Sequence, residues 1–161
     1  MMTGIVNVSK LYLVYRILTL VFLLFIGIYD FRHHLIKNTA LVFLSLWCLS
    51  SIPLKFTLGI VPSLPLLIFK ICLGGGVGFF LLFVIAAATN GGIGGGDIKL
   101  ATVLGLYYGV SGLCLILIMS CLSAFFAVLL YRLRYKRKTA ALPFAPFLFL
   151  GCLFYEFLSL F

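Results

Sequence analysis

From Leu11 to Tyr29 the only charged side chain is Arg16, and the rest of the stretch is almost wholly Leu, Ile, Val, Phe and Tyr. About 20 such residues in an α-helix cross the hydrocarbon core of a bilayer. Only a helix, or a closed barrel, satisfies every backbone N–H and C=O where no water is available. No A-x-A-like cleavage site follows the stretch, and the charged run "DFRHHLIK" comes directly after it. It therefore reads as a permanent helix and not as a signal peptide.

The same pattern recurs along the chain. A short apolar run covers about 39–54, and a Pro-bearing connector, "PLKFTLGIVPSLP", leads into another at about 64–89 that contains "GGGVG". Small residues of this kind let helices approach closely. A fourth helix starts near Asp97 and must end around "YYGVSG" at 107–112. The fifth run covers about 112–131 and the sixth about 142–161. A soluble domain carries about 25% charged residues, whereas this chain has 9%, with 65% hydrophobic residues and a mean hydropathy of +1.31. The expected fold is an all-α integral membrane protein. It is a bundle of about six transmembrane helices with a Gly-rich loop before helix 4, forming a single domain over 1–161.

The net charge of +9 does not imply nucleic acid, because the basic residues lie in short loops between apolar runs. Loops after spans 1, 3 and 5 hold Arg32, Lys37, Lys99, Arg132, Arg134, Lys136, Arg137 and Lys138. The other side has Lys10 and Lys55, while Arg16 and Lys70 fall within spans. The positive-inside rule then makes the odd loops cytoplasmic and places both termini outside. The basic run 132–138 is expected to contact anionic membrane lipids. Cys48, Cys72, Cys114, Cys121 and Cys152 all lie in apolar runs without C-x-x-C spacing, so they read as packing residues.

Only three carboxylates exist in the chain: Asp30, Asp97 and Glu156. The topology puts Asp30, at the end of span 1, and Asp97, at the start of span 4, on one membrane face. Glu156 falls near the opposite end of the bundle and reads as a helix partner. Two close carboxylates cannot easily both ionise, so one retains a proton. Such a pair suits peptide hydrolysis, with one acid deprotonating water and the other polarising the carbonyl. The glycines before Asp97 do not form a phosphate loop, since Gly96 is followed by Asp97 and not by Lys-Ser/Thr. Two other readings remain: a small ion- or proton-coupled transporter using Asp30 and Asp97 as cation sites, and a non-catalytic secretion scaffold.

The segment "GGGDIKL", through Gly94, Gly96, Asp97, Lys99 and Leu100, resembles the GxGD signature of type IV prepilin peptidases. An upstream motif is similar too: Asp30, Arg32, Ile36, Lys37 and Asn38 stand where the family has Asp, often Arg, then Ile-Pro-Asn. Lys37 replaces the usual proline. "LPFAPFL" at 142–148 resembles the family's third recurrent stretch. The resemblance implies an intramembrane aspartic endopeptidase of a bacterial or archaeal cytoplasmic membrane. Such an enzyme removes basic leaders from prepilin or pseudopilin substrates at the cytoplasmic face. It also implies Asp30 and Asp97 as the catalytic pair, with Gly94, Gly96, Lys99, Arg32 and Asn38 supporting them or the substrate loop. Larger relatives add a four-cysteine zinc loop and N-methylate the product. No such segment is expected here, and the chain looks like the short peptidases of tight-adherence (Tad/Flp) pili. The expected enzyme is a monomer without metal or organic cofactor. Helix ends suggest a division of labour: Asp97 opens a helix and is expected to ionise first as the base, while Asp30 closes one and is the acid. The glycines are expected to leave room for a substrate backbone beside Asp97.

Overall fold

The computed structural model describes residues 2–58, 63–89, 92–135 and 143–159, with side chains from Lys10 onward, Tyr135 excepted. Lys136, Arg137, Lys138, Leu142, Pro62 and Gly91, which figure in the motifs and loops above, lie outside the described residues. Among the described residues the chain is helical throughout: α1 (Met2–His33), α2 (Asn38–Ser50), α3 (Ile52–Thr57), α4 (Leu64–Ala88), α5 (Gly95–Tyr135) and α6 (Ala145–Leu158). Four helical runs are long and apolar enough to cross a membrane, and α6 is a shorter apolar helix. The all-α membrane fold expected from the sequence is the one observed.

Each boundary has a local cause. α1 ends where His34 adopts φ 49°, a left-handed conformation that stops the helix, while its N–H still donates to the Asp30 carbonyl at 2.8 Å. α2 and α3 form one nearly continuous run, Asn38–Thr57, interrupted at Ser51. Pro53 follows in the first turn of α3, where the missing N–H costs nothing. α4 is one helix, in keeping with the reading of 64–89 as one span.

α5 would be about 60 Å long if straight, twice the thickness of a hydrocarbon core. It is not straight. Gly109 has φ 70° and ψ −177°, outside the helical region. Ala101 and Leu113 would stand about 18 Å apart in a continuous helix, yet both lie against Gly78 of α4. The chain therefore doubles back at Gly109, and α5 has two antiparallel legs. The break falls inside "YYGVSG", where the sequence places the end of helix 4, and it completes six legs. Positive φ of this kind is open to glycine at little steric cost.

α4 packs most extensively on α5. At the crossing, a Cβ added to Gly74 would lie 2.2 Å from the Gly105 carbonyl oxygen, and one added to Gly105 would lie 2.2 Å from that of Gly74. Backbone meets backbone there. A shared core of Leu23, Ile26, Leu44, Leu100, Leu104, Leu113, Ile116 and Leu148 joins α1, α2, both legs of α5 and α6. Cys48 and Cys152 belong to that core, while Cys72 and Cys121 are exposed on the apolar exterior.

One cation differs from its sequence-based placement. Lys55 was expected among the loop charges of the outer side, but it is buried, only 8% exposed. Its ammonium donates to the Tyr107 carbonyl and stands 4.1 Å from the centre of the Tyr107 ring. The reversal at Gly109 leaves the last carbonyls of the first leg without helical partners, and Lys55 satisfies one. Arg16 is ion-paired with Glu156, so the charge within span 1 is matched by the acid near the end of α6.

Candidate active site

Asp30 lies in the last turn of α1 and is 5% exposed. Three residues later the chain leaves the helix, crosses residues 34–37, and enters α2. That turn packs on the start of α5: a Cβ at Gly96 would lie 2.9 Å from the Ile36 Cβ, so only glycine lets the two segments meet here. Lys99 reinforces the junction by donating to the Asn38 Oδ1 at 3.0 Å. Asp97 follows Gly96 in the first turn of α5, and its N–H donates to the Gly94 carbonyl at 3.0 Å. These contacts bring Asp97 within electrostatic reach of Asp30.

The two carboxylates have different surroundings. Asp30 Oδ2 accepts a hydrogen bond from the Ala145 N–H at 3.3 Å. The beginning of α6, within the motif at 142–148, is thus docked on the first aspartate. Asp97 Oδ1 is buried and has no hydrogen-bond partner among the described residues. A buried carboxylate oxygen in that state is rare in a folded protein and marks a place for a water or a ligand group. The Gly94 N–H lies within reach of the Asp97 carboxylate, as in a helix cap, and Oδ1 is the oxygen left without a partner.

The glycine run divides into three environments. Gly96 is packed against Ile36. A Cβ at Gly94 would stand 3.3 Å from Asp97 Oδ2, so a side chain there would crowd the carboxylate, and one at Gly95 would meet nothing within 4 Å. Open space beside the acid is what an extended peptide backbone would need.

Of the seven residues singled out in the sequence, Asp30, Asp97, Gly94 and Gly96 are brought to one end of the bundle, with Lys99 and Asn38 bonded to each other beside them. Arg32 is placed differently. It is exposed on a groove lined by Gly27, Phe31 and Pro146, and makes no ion pair with either aspartate. Its position two residues from Asp30 turns it away by about 200° on a helix. Lys99 likewise pairs with neither acid. The residue that reasoning from sequence missed is Ala145: its contribution is a backbone N–H, which no side-chain pattern reveals. It also alters the expected division of labour. Asp30 sits at the C-terminal end of α1 but also faces the N-terminal end of α6. The helix-dipole asymmetry that made Asp97 the base is thereby offset.

The sequence pattern of the type IV leader peptidase family matches residues 17–129, a span that holds both aspartates and the glycine loop. The chain belongs to the type IV leader peptidase family. A curated relative, the prepilin leader peptidase/N-methyltransferase of Bacillus subtilis (strain 168), is 49% identical over 78 residues. That segment covers 46% of this chain and 30% of the relative, so the chain spans under a third of the relative's length. No solved structure matches. Within this family member, the departure at Lys37 is conservative in backbone terms. Lys37 has φ −67° and ψ 129°, the conformation proline imposes, and its side chain lies over the Tyr29 ring at 4.8 Å. Lys37→Pro is expected to fold and to leave stability unchanged or raised by about 0.4–1 kcal/mol. Thermal unfolding in detergent checks this, and a clear loss would mean that the Lys37 N–H or ammonium has a partner the backbone geometry does not reveal.

Proposed function

We propose that this family member is a membrane-embedded aspartic endopeptidase that removes the basic leader from prepilin-like proteins at the cytoplasmic face. The observation that carries the reading is the buried, unpartnered Asp97 Oδ1 beside Asp30, next to an open glycine backbone. In the proposed reaction the two carboxylates hold one proton and one water between them. The ionised carboxylate takes a proton from the water as its oxygen attacks the scissile carbonyl. The protonated carboxyl donates to the carbonyl oxygen as negative charge develops there. Collapse of the tetrahedral intermediate expels the amine, which receives the proton taken from water. Because the two sites couple, their titration belongs to the pair and not to either residue.

The placement of Arg32, Lys37 and Lys99 at the aspartate end supports a cytoplasmic active site, with both termini on the other side of the membrane. Gly94 and Gly95 leave room for the substrate backbone beside Asp97, while Gly96, packed on Ile36, and the Lys99–Asn38 bond hold the start of α5 against the turn into α2. The proposed catalytic unit is a monomer. Family membership favours hydrolysis over ion-coupled transport, and no observation favours the latter.

The test is co-expression with a prepilin bearing a basic leader and a hydrophobic helix, followed by gel mobility and mass of the pilin. Loss of the leader only when this protein is present is the expected result. A panel of such substrates left intact by folded, membrane-inserted protein would overturn the reading.

A further inference from the structure

A second polar site lies at the opposite end of the bundle. Arg16 precedes Asp30 on α1 by about 21 Å of helix, and Tyr107 follows Asp97 on α5 by about 15 Å. Between them is a cavity of about 650 Å³ lined by Tyr12, Arg16, Lys55, Lys70, Ser111 and Glu156, among others. It shares no residue with the aspartate site.

Three cations face one carboxylate there, and that carboxylate is already occupied. Glu156 Oε2 accepts from Arg16, and Oε1 accepts from the Tyr108 hydroxyl at 2.7 Å. Arg16 also reaches the Ser159 hydroxyl. Glu156 is within electrostatic reach of Lys55, yet among the described residues neither Lys55 nor Lys70 has an ion-pair partner. A buried ammonium at membrane depth is costly unless a negative group compensates it, and such residues mark binding sites. The bond from Lys55 to one carbonyl uses only one of its three protons. Leu67 and Leu73 of α4, which flank Lys70 in sequence, and Leu106 of α5 add apolar lining, and α4 continues as a lipid-length apolar helix.

We propose that this cavity binds the phosphate group of an anionic phospholipid, with Lys55 and Lys70 as its charge partners and an acyl chain along α4. The net cationic lining selects a negatively charged headgroup over a zwitterionic one. The apolar lining selects a lipid over free phosphate. The site is independent of the peptidase reading, because neither aspartate takes part.

Detergent-solubilised protein is titrated with dioctanoyl-phosphatidylglycerol, with dioctanoyl-phosphatidylcholine and with inorganic phosphate, and binding is read as the rise in melting temperature. Phosphatidylglycerol is expected to raise it saturably, and phosphatidylcholine to do so far less. Lys70→Gln, at an exposed position, is expected to weaken the apparent affinity by about tenfold, and Lys70→Glu by more. Lys55→Gln loses the bond to Tyr107 and can fail to fold, so Lys55→Arg is the companion variant, which keeps the charge and retains binding. Equal stabilisation by both lipids, or undiminished phosphatidylglycerol binding in Lys70→Glu, overturns the proposal. Stabilisation by inorganic phosphate as strong as by phosphatidylglycerol overturns the lipid assignment and makes this a site for a soluble phosphate.

Discussion

On the proposed mechanism, Asp97→Asn and Asp30→Asn are each expected to lower leader cleavage by about a thousandfold, within the range that a positioned acid or base contributes. Asparagine has nearly the shape of aspartate but can neither take a proton from water nor hold one for the carbonyl. Both variants are expected to fold. Asp97 Oδ1 makes no hydrogen bond that asparagine would lose. At position 30 an amide oxygen can still accept from the Ala145 N–H, so α6 remains docked. Melting temperatures in detergent should therefore change little, by the equivalent of about 0.5 kcal/mol or less. The double variant is expected to lose no more than either single one, because one catalytic unit is removed only once. Leader cleavage at the wild-type rate by either well-folded variant would show that the carboxylate pair is not the catalyst.

Gly105→Ala has the second large effect, on stability. Its new Cβ would sit 2.2 Å from the Gly74 carbonyl oxygen, and a backbone atom cannot swing aside as a side chain can. The two helices must separate, which loosens contacts along the whole α4–α5 interface. The expected loss is roughly 3 kcal/mol or more, at the upper end of overpacking effects. Gly76→Ala is the control. It lies on α4, two residues from Gly74, with nothing within 4 Å, and its effect should stay within about 1 kcal/mol. Thermal unfolding of both variants separates the cases. Since the first leg of α5 carries Asp97, cleavage is expected to fall with Gly105→Ala and to persist with Gly76→Ala. Equal stability of the two variants would mean that the crossing has slack absent from this geometry.

Much of the molecule was legible because its solvent imposes strong rules. Apolar length alone specified the helices of α1, α4 and the second leg of α5. The "YYGVSG" stretch marked a real reversal, whereas Pro53, read as the start of a connector, lies inside α3 just after the break at Ser51. The Gly-Gly-Gly-Val-Gly segment announced a close crossing on α4, though not its partner. Asp30 and Asp97 could be paired from topology, since both fall at helix ends on one face, and the motif resemblance agreed.

Other features depend on contacts between distant segments, which no local pattern encodes. Lys55 reads in sequence as a boundary charge. Its burial follows from the turn at Gly109, which frees the Tyr107 carbonyl on a helix more than fifty residues away. Arg16 and Glu156 are separated by 140 positions and form a pair only because α1 and α6 run antiparallel. Arg32 shares a motif with Asp30 yet faces away from it, because helical geometry turns residues two apart to different sides.

The sequence by itself determined the membrane environment, the helical legs and the two aspartates, because desolvating charge and unpaired backbone in lipid is so costly that few alternatives survive. The tertiary structure decided that α6 docks its first backbone N–H on Asp30. It also decided that Asp97 retains an unsatisfied oxygen, and that Gly74 and Gly105 allow two backbones to touch. Those properties belong to distances between helices, and they exist only once the helices have packed.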